Sequence, residues 1–122
     1  MAEKIKLHHQ HQDAEKEANI IEQMPDDNTI ETVSKAMKQL GDPSRLKIFW
    51  LLCHTEECVL DIADIVKMSS PAVSHHLKIL KDSGLVASRR KGKEMLYKAA
   101  NIRLVDLLHV TIETVAEVTC PR

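Results

Sequence analysis

A chain of 122 residues with a formal net charge of −1 has the size of one compact domain. Hydrophobic residues make up 43% of the chain but aromatic residues only 2%, which favours an aliphatic, helical core over an all-β sandwich. No apolar run approaches the ~20 residues of a membrane span, and no secretory signal is visible. The three cysteines are therefore predicted to be reduced thiols of a cytoplasmic protein.

The charges are distributed unevenly along the chain. Residues 1–31 carry eight acidic and three basic side chains. Residues 78–98 carry seven basic side chains against two acidic ones. A concentrated basic segment in a nearly neutral chain predicts contact with a polyanion such as DNA, although the net charge alone gives no sign of it.

The first 28 residues are polar and rich in histidine, and they are predicted to form a mobile tail with helical turns near Asp13–Glu22. A DNA-binding and dimerisation domain is predicted over residues 29–120. Its first helix is predicted from Asn28 to Gly41, because apolar residues recur at helical spacing, at Ile30, Val33, Met37 and Leu40.

Capping residues and a glycine delimit the next three predicted helices. Asp42 and Pro43 start a helix that is apolar on most sides and is predicted to be the central element of the core. A third helix is predicted from about Val59 to Lys67. A fourth runs from Pro71 to about Asp82, where Gly84 supplies a left-handed cap. The predicted inward residues of these last two helices are Ile62, Ala63, Val66, Val73, Leu77 and Leu80.

Two strands, Leu85–Arg90 and Met95–Ala100, are predicted to form a hairpin around a turn at Lys91–Glu94. Asn101 is predicted to cap a last helix that reaches about Val118. The predicted fold is therefore mainly α, a winged helix-turn-helix with five helices and one β-hairpin wing. The apolar stripe of the last helix is Ile102, Val105, Leu108, Ile112 and Val115.

A winged helix-turn-helix binds DNA with its second helix in the major groove and its wing along neighbouring phosphates or the minor groove. With the apolar residues of the fourth helix facing the core, its opposite side presents small, hydroxyl-bearing and basic residues to base edges. The basic residues of the wing are placed to neutralise phosphates. The predicted DNA contacts are Ser69, Ser70, Ala72, Ser74, His75 and Lys78 from the helix, and Arg89, Arg90, Lys91 and Lys93 from the wing.

Three segments resemble the ArsR/SmtB family of metal-sensing transcriptional repressors: GDPSRLKI, ECVLDIADIVKMSSPAVSHHLKILKDSGLV and RRKGKEMLYKA. The resemblance covers roughly Thr32 to Val118, and its pattern is closest to the cadmium, lead and zinc sensors of the family. It implies a homodimer, formed by the first and last helices, that binds an inverted-repeat operator in double-stranded DNA and is released by an inducer. Independently of the family, the apolar stripe of the last helix fits a dimer face.

The resemblance also implies a metal site at the start of the third helix, where the family's thiolate sensors read Cys-Val-Cys-Asp. This chain keeps Cys58 but has Leu60 in place of the second cysteine, which puts an arsenic site of adjacent thiolates in doubt. The family's further ligands come from the N-terminal tail, which here offers His8, His9 and His11. One thiolate with two or three imidazoles suits a tetrahedral ion, and the expected inducer is a divalent metal of the Zn, Cd or Pb class.

An alternative metal site is predicted on the last helix. The family's zinc site on that helix is implied to be absent, because Glu117 alone matches its pattern. His54 is predicted to lie at the surface, within reach of a metal at Cys58. The alternative site is a different polar stripe, on one face of the helix and able to hold a metal near a two-fold axis: Asp106, His109, Glu113, Glu117 and Cys120.

Other functions of the same fold stay open at this point. A thiol or persulfide sensor would pair two of Cys53, Cys58 and Cys120. A family member without a sensor site would be a constitutive DNA-binding dimer. An enzyme is not expected, because the sequence shows no nucleophile beside a base, no phosphate-binding loop and no paired carboxylates in a credible cleft.

Overall fold

The computed structural model of the chain describes residues 13–117, and the chain divides into two compact units after Ser34. In the first unit, the described residues form helix α1 (Ala14–Gln23) and the beginning of helix α2 (Asp27–Gln39), which continues into the second unit. The predicted mobility of residues 1–28 and the domain boundary at residue 29 stay predictions.

Helix α1 is a full helix where only helical turns were predicted. The side chain of Asp13 accepts a hydrogen bond from the backbone N–H of Lys16 (3.1 Å) and so satisfies one of the donors that every helix start exposes. None of the residues of α1 is buried. With α1, the described part of the chain contains six helices rather than the five that were predicted.

The elements that follow α2 agree with the predicted ones to within about two residues at most ends. Asp42 caps its helix as predicted, since its carboxylate accepts from the backbone N–H of Arg45 (2.9 Å). The prediction that Asn101 caps the last helix is wrong: Ile102 occupies that position, without a side-chain hydrogen bond. The remaining elements are α3 (Pro43–Leu52), β1 (Glu57–Cys58), α4 (Val59–Val66), α5 (Ser70–Asp82), β2 (Val86–Lys91), β3 (Glu94–Ala99) and α6 (Arg103–Ala116). No helix in residues 13–117 is long and apolar enough to cross a membrane.

The three strands form one antiparallel sheet in the order β1-β3-β2. Its register pairs Lys91 with Glu94 and leaves Gly92-Lys93 as a two-residue turn, in which Gly92 has a left-handed backbone (φ +62°) that favours glycine. Strand β1 was not predicted, because two residues are too few to show an alternating pattern. Helix α4, helix α5 and the β2–β3 hairpin follow one another as helix, turn, helix and wing, which confirms the winged helix-turn-helix.

Helix α3 contacts α4, α5 and β3 and supplies the largest fully buried side chains, as expected of the central element. Ile48 and Phe49 of this helix are 0% exposed. All six residues predicted to face inward from α4 and α5 are buried, which confirms the helical periodicity used to predict them. The other core residues are Leu52, Leu85, Val86 and Val105.

Helix α6 is apolar on two sides, and the predicted stripe does not form an exposed face. Val105 is buried, and Leu108 and Ile112 pack against the core of the same chain, whereas Ile102 and Val115, at the two ends of the predicted stripe, are exposed. The middle of the stripe faces inward because α6 closes the core beside α3. Three further apolar side chains of α6, outside the predicted stripe, are also exposed: Leu104, Leu107 and Val110.

Candidate DNA interface and metal cluster

Helix α5 presents most of its predicted DNA-contacting side chains on the side opposite the core. Ser74, His75 and Lys78 are exposed, whereas Ser70 and Ala72 are half-buried. Ser69 lies at the N-cap position, where its hydroxyl oxygen accepts a hydrogen bond from the backbone N–H of Ala72 (3.3 Å). Ser69 therefore stabilises the start of α5, and its hydroxyl is already engaged by the helix.

The two adjacent histidines of α5 have different environments. His75 is exposed, while the side chain of His76 is 14% exposed and lies against α3. The guanidinium Nε of Arg45 donates to His76 Nδ1 (3.3 Å), and His76 Nε2 lies 3.7 Å from the carboxylate of Asp42. Burial lowers the pKa of His76 despite the opposing effect of Asp42, and the nearby Arg45 charge lowers it further. His76 therefore joins α5 to α3 in its neutral form.

Replacing His76 by glutamine is expected to reduce the pH dependence of stability. Because the folded-state pKa of His76 lies below its ordinary value of 6.5, the unfolded chain binds more protons in the window between the two pKa values. Stability of the wild-type protein should therefore rise with pH through that window, and the slope should be shallower in His76→Gln. Urea unfolding at a series of pH values between about 5 and 8 measures the slope of stability against pH in both proteins. Equal slopes in both proteins would contradict the neutral, buried His76.

The basic residues of the β2–β3 hairpin differ in whether they form an ion pair within the chain. Arg90, Lys91 and Lys93 are exposed; Arg90 and Lys91 end β2 just before the two-residue turn of the wing, and Lys93 lies in that turn. Arg89 instead forms a two-pronged ion pair with Glu56, in which Nε and Nη2 donate to the carboxylate at 2.8 and 2.5 Å. Hydrogen bonding by Arg89 lowers the pKa of Glu56 and keeps it ionised. A phosphate would therefore compete with Glu56 for Arg89.

Cys58 occupies the junction of β1 and α4, where it is half-buried and is paired in the sheet with β3. Leu60 is 67% exposed, so the position of the family's second thiolate is open to solvent but carries an aliphatic side chain. Cys53 is half-buried and packs against the core. The other predicted ligands and thiols, His8, His9, His11 and Cys120, lie outside the described residues.

Three other ligand-bearing side chains meet between the C-terminal end of α3 and the middle of α6. His54, His109 and Glu113 form the His-His-Glu cluster, whose ligand atoms all lie within 4.8 Å of one another. His109 Nε2 lies 2.9 Å from His54 Nε2 and 2.9 Å from Glu113 Oε1, and His54 Nε2 lies 3.4 Å from Glu113 Oε1. Within residues 13–117, this is the group of at least three His, Cys, Asp or Glu side chains whose geometry suits one metal ion.

The His-His-Glu cluster contains two of the five residues of the predicted alternative site. Glu117 follows the last turn of α6 and is exposed, and it is not part of the cluster. Asp106 is exposed and lines a cleft of about 400 Å³ together with His54 and His109. The spacing of His109 and Glu113 predicted their common face, but no sequence signal links them to His54, which lies more than fifty positions earlier.

Trp50 fixes one side of the cluster. Its indole Nε1 donates a hydrogen bond to Glu113 Oε1 (3.0 Å), and its ring lies 4.4 Å from the ring of His54, measured between centroids. The side chains of His54, His109 and Glu113 are 15%, 21% and 13% exposed. Partly buried hydrogen bonds and ring contacts therefore join the end of α3 to α6, and the cleft beside them is open to solvent.

The chain is similar in sequence to bacterial regulatory proteins. A family model described as "Bacterial regulatory protein, arsR family" matches residues 42–88, which include α3, α4 and α5. The cadmium resistance transcriptional regulatory protein CadC of Listeria innocua is 41% identical over 88 residues, covering 71% of this chain and 74% of that protein. An arsenical resistance operon repressor of Staphylococcus xylosus is 35% identical over 83 residues, covering 68% of this chain and 79% of that protein.

A solved structure agrees in both sequence and fold. The homodimeric winged helix-turn-helix DNA-binding domain of a possible ArsR-family transcriptional regulator from Mycobacterium bovis, determined in solution, has a TM-score of 0.66. It is 31% identical, and the match covers 77% of this chain and 89% of that domain. These relatives are transcriptional regulators rather than enzymes, as was expected for this chain. The chain belongs to the ArsR family of bacterial regulatory proteins.

Proposed function

We propose that this protein is a cytoplasmic, metal-responsive transcriptional repressor that binds operator DNA as a homodimer and is released by a divalent metal of the Zn, Cd or Pb class. The observation that carries the DNA-binding part is that Ser74, His75 and Lys78 of α5 are exposed and that the same unit contains an exposed basic wing. The names of the cadmium and arsenical resistance relatives support a metal as the inducer.

The DNA contacts divide by chemistry. Ser70, Ala72, Ser74, His75 and Lys78 face the major groove in this proposal, with Ser69 holding the N-terminus of α5 in place. Arg90, Lys91 and Lys93 contact phosphates and supply most of the salt-dependent affinity. Arg89 contributes through the position it gives the wing, because its own charge is paired with Glu56.

The dimer is proposed to form through the exposed apolar side of α6. Leu107 is 54% exposed, Val110 is 61% exposed and Val115 is 81% exposed, so together they present an apolar surface that a soluble monomer rarely leaves uncovered. The homodimeric domain from Mycobacterium bovis supports two-fold assembly in this fold. A two-fold dimer presents two copies of α5 to the two halves of an inverted repeat.

Two binding sites for the metal remain in the proposal. The first combines Cys58 with His8, His9 and His11 and rests on the resemblance of Cys58 to the family's thiolate position. The second uses the polar face of α6. Cys58→Ser is expected to weaken metal-driven release only if the first site is the sensor. Release by an oxidant but not by a metal would instead select the thiol sensor.

Selection from a random duplex library, followed by sedimentation of the protein with the selected DNA, tests dimeric operator binding. The wild-type protein should select an inverted repeat whose half-sites are one helical turn apart, with two protomers per duplex. Val110→Glu should sediment as a monomer and lose most of its affinity, because a charge cannot be buried in an apolar interface without a partner. Leu60→Glu, which changes an exposed residue of α4, is the matched control and should remain dimeric. A selected site without symmetry, or a dimeric Val110→Glu, would contradict the proposed assembly.

A further inference from the structure

We propose that His54, His109 and Glu113 of one protomer bind a borderline divalent metal of the Zn(II) class, within the protomer rather than across the dimer. The three residues come from the end of α3 and from two successive turns of α6. No second chain is needed to bring the three ligand atoms together. The alternative site on the polar face of α6, by contrast, would hold a metal between two protomers.

The distances between the ligand atoms fit a tetrahedral ion. With metal–nitrogen and metal–oxygen distances of about 2.0–2.2 Å, two ligands of a tetrahedral ion lie about 3.3–3.6 Å apart. The corresponding distances in the His-His-Glu cluster are 2.9, 2.9 and 3.4 Å. A shift of a few tenths of an ångström would convert these hydrogen-bond distances into the spacing of metal ligands.

The donor atoms select the class of metal. Two imidazole nitrogens and one carboxylate oxygen suit Zn(II), Co(II) or Ni(II), whereas cadmium and lead gain more from thiolates. Trp50 supports the carboxylate by donating to Glu113 Oε1, in the way that ligating carboxylates of metal sites are commonly held by a second group. The cleft beside His54 and His109, with Asp106 on its wall, leaves room for a fourth ligand such as water.

The cluster also lies at the start of a segment that supports the wing. Two residues after His54, Glu56 forms the ion pair with Arg89 of β2. The next two residues form β1, which pairs with β3 of the wing. A metal that draws His54 toward α6 therefore acts on the backbone that positions the hairpin. This part of the inference rests on the proposed repressor function, and the coupling requires that the metal prefer the DNA-free conformation.

Metal binding is tested first by titrating the reduced, full-length Cys58→Ser protein with Co(II). One ion per protomer should bind, with the visible absorption of a four-coordinate nitrogen and oxygen site and without a thiolate charge-transfer band. Emission of Trp50, the single tryptophan of the chain, should be quenched in parallel and should change again when Zn(II) displaces Co(II). His109→Asn and Glu113→Gln should each weaken Co(II) binding at least tenfold.

Asp64→Asn is the matched control, since it neutralises an exposed carboxylate of α4 that belongs to neither of the metal sites considered. Its Co(II) affinity should equal that of the Cys58→Ser parent. Glu113→Gln keeps an acceptor for Trp50, so thermal unfolding of this variant separates loss of a ligand from loss of the fold. Co(II) affinity that is unchanged in His109→Asn and Glu113→Gln, or absence of stoichiometric binding by the parent, would overturn the proposed site.

Operator release measured on the same variants separates the two proposals. If Zn(II) releases wild-type protein from DNA but not His109→Asn, both the site and the repressor function are supported. If Zn(II) releases both equally, the cluster is not the sensor while the metal-responsive repressor stands. If wild-type protein binds Co(II) at the cluster but no metal affects its DNA complex, the site stands and the proposed metal response fails.

Discussion

Replacing Arg90 and Lys91 together by alanine is expected to lower operator affinity about 4,000-fold at 0.1 M salt. The two charges are exposed on the wing, and a dimer carries four of them. Each phosphate contact contributes a slope of about −0.9 to the dependence of log K on log salt, which is roughly tenfold in affinity at 0.1 M. The slope should therefore become less negative by about 3.6 units, as measured by fluorescence anisotropy over a series of salt concentrations.

Two comparisons show whether the wing acts through these charges. Lys38→Ala removes an exposed charge from α2 and should leave the salt slope unchanged. Arg89→Ala should change the slope less than Arg90→Ala, because Glu56 already pairs with Arg89. A double variant with unchanged affinity and slope would show that the β2–β3 hairpin does not contact DNA.

Replacing Phe49 by alanine is expected to lower the free energy of unfolding by about 3–5 kcal/mol. Phe49 is 0% exposed at the centre of the core, where α3 meets the other elements. Removing the ring loses its burial and leaves a cavity that the packed neighbours can fill only in part. Total stability of a small domain is about 5–15 kcal/mol, so the variant should be only marginally folded.

Chemical denaturation at one fixed protomer concentration measures this change, because stability of a dimer depends on concentration. Leu60→Ala is the matched control: it truncates an apolar residue that is 67% exposed and should change the stability by no more than about 0.5 kcal/mol. A loss below about 1.5 kcal/mol for Phe49→Ala would mean that the packing around α3 is looser than described.

Local sequence signals explain why most of the fold was predictable. Asp42 and Pro43 define the start of α3, and the helical spacing of apolar residues in α4 and α5 identifies every one of their buried positions. Gly84 adopts the left-handed conformation expected after α5 (φ +78°). Signals of this kind act within one turn of helix, so they are visible without tertiary structure.

Features that depend on tertiary packing were not predictable. The helical periodicity of α5 assigns His75 to the DNA side, but it does not show that His76 meets Arg45 and Asp42 at the start of α3. The whole apolar stripe of α6 was assigned to a dimer because the sequence does not show which apolar residues of α6 pack against the core of the same chain. His54 joins His109 and Glu113 through the packing of two helices, and no spacing rule connects such distant positions.

The measurement that tests the central claim most directly is the anisotropy of a labelled duplex carrying the selected operator, titrated with the reduced protein and then with metal. Zn(II) or Cd(II), added at about one ion per protomer, should lower operator affinity by at least fivefold, the lower end of typical coupling between two sites. Mg(II), a hard ion that prefers oxygen ligands, should have no effect at the same concentration. An operator complex whose affinity is unchanged by Zn(II), Cd(II) and Pb(II) would contradict a metal-responsive repressor.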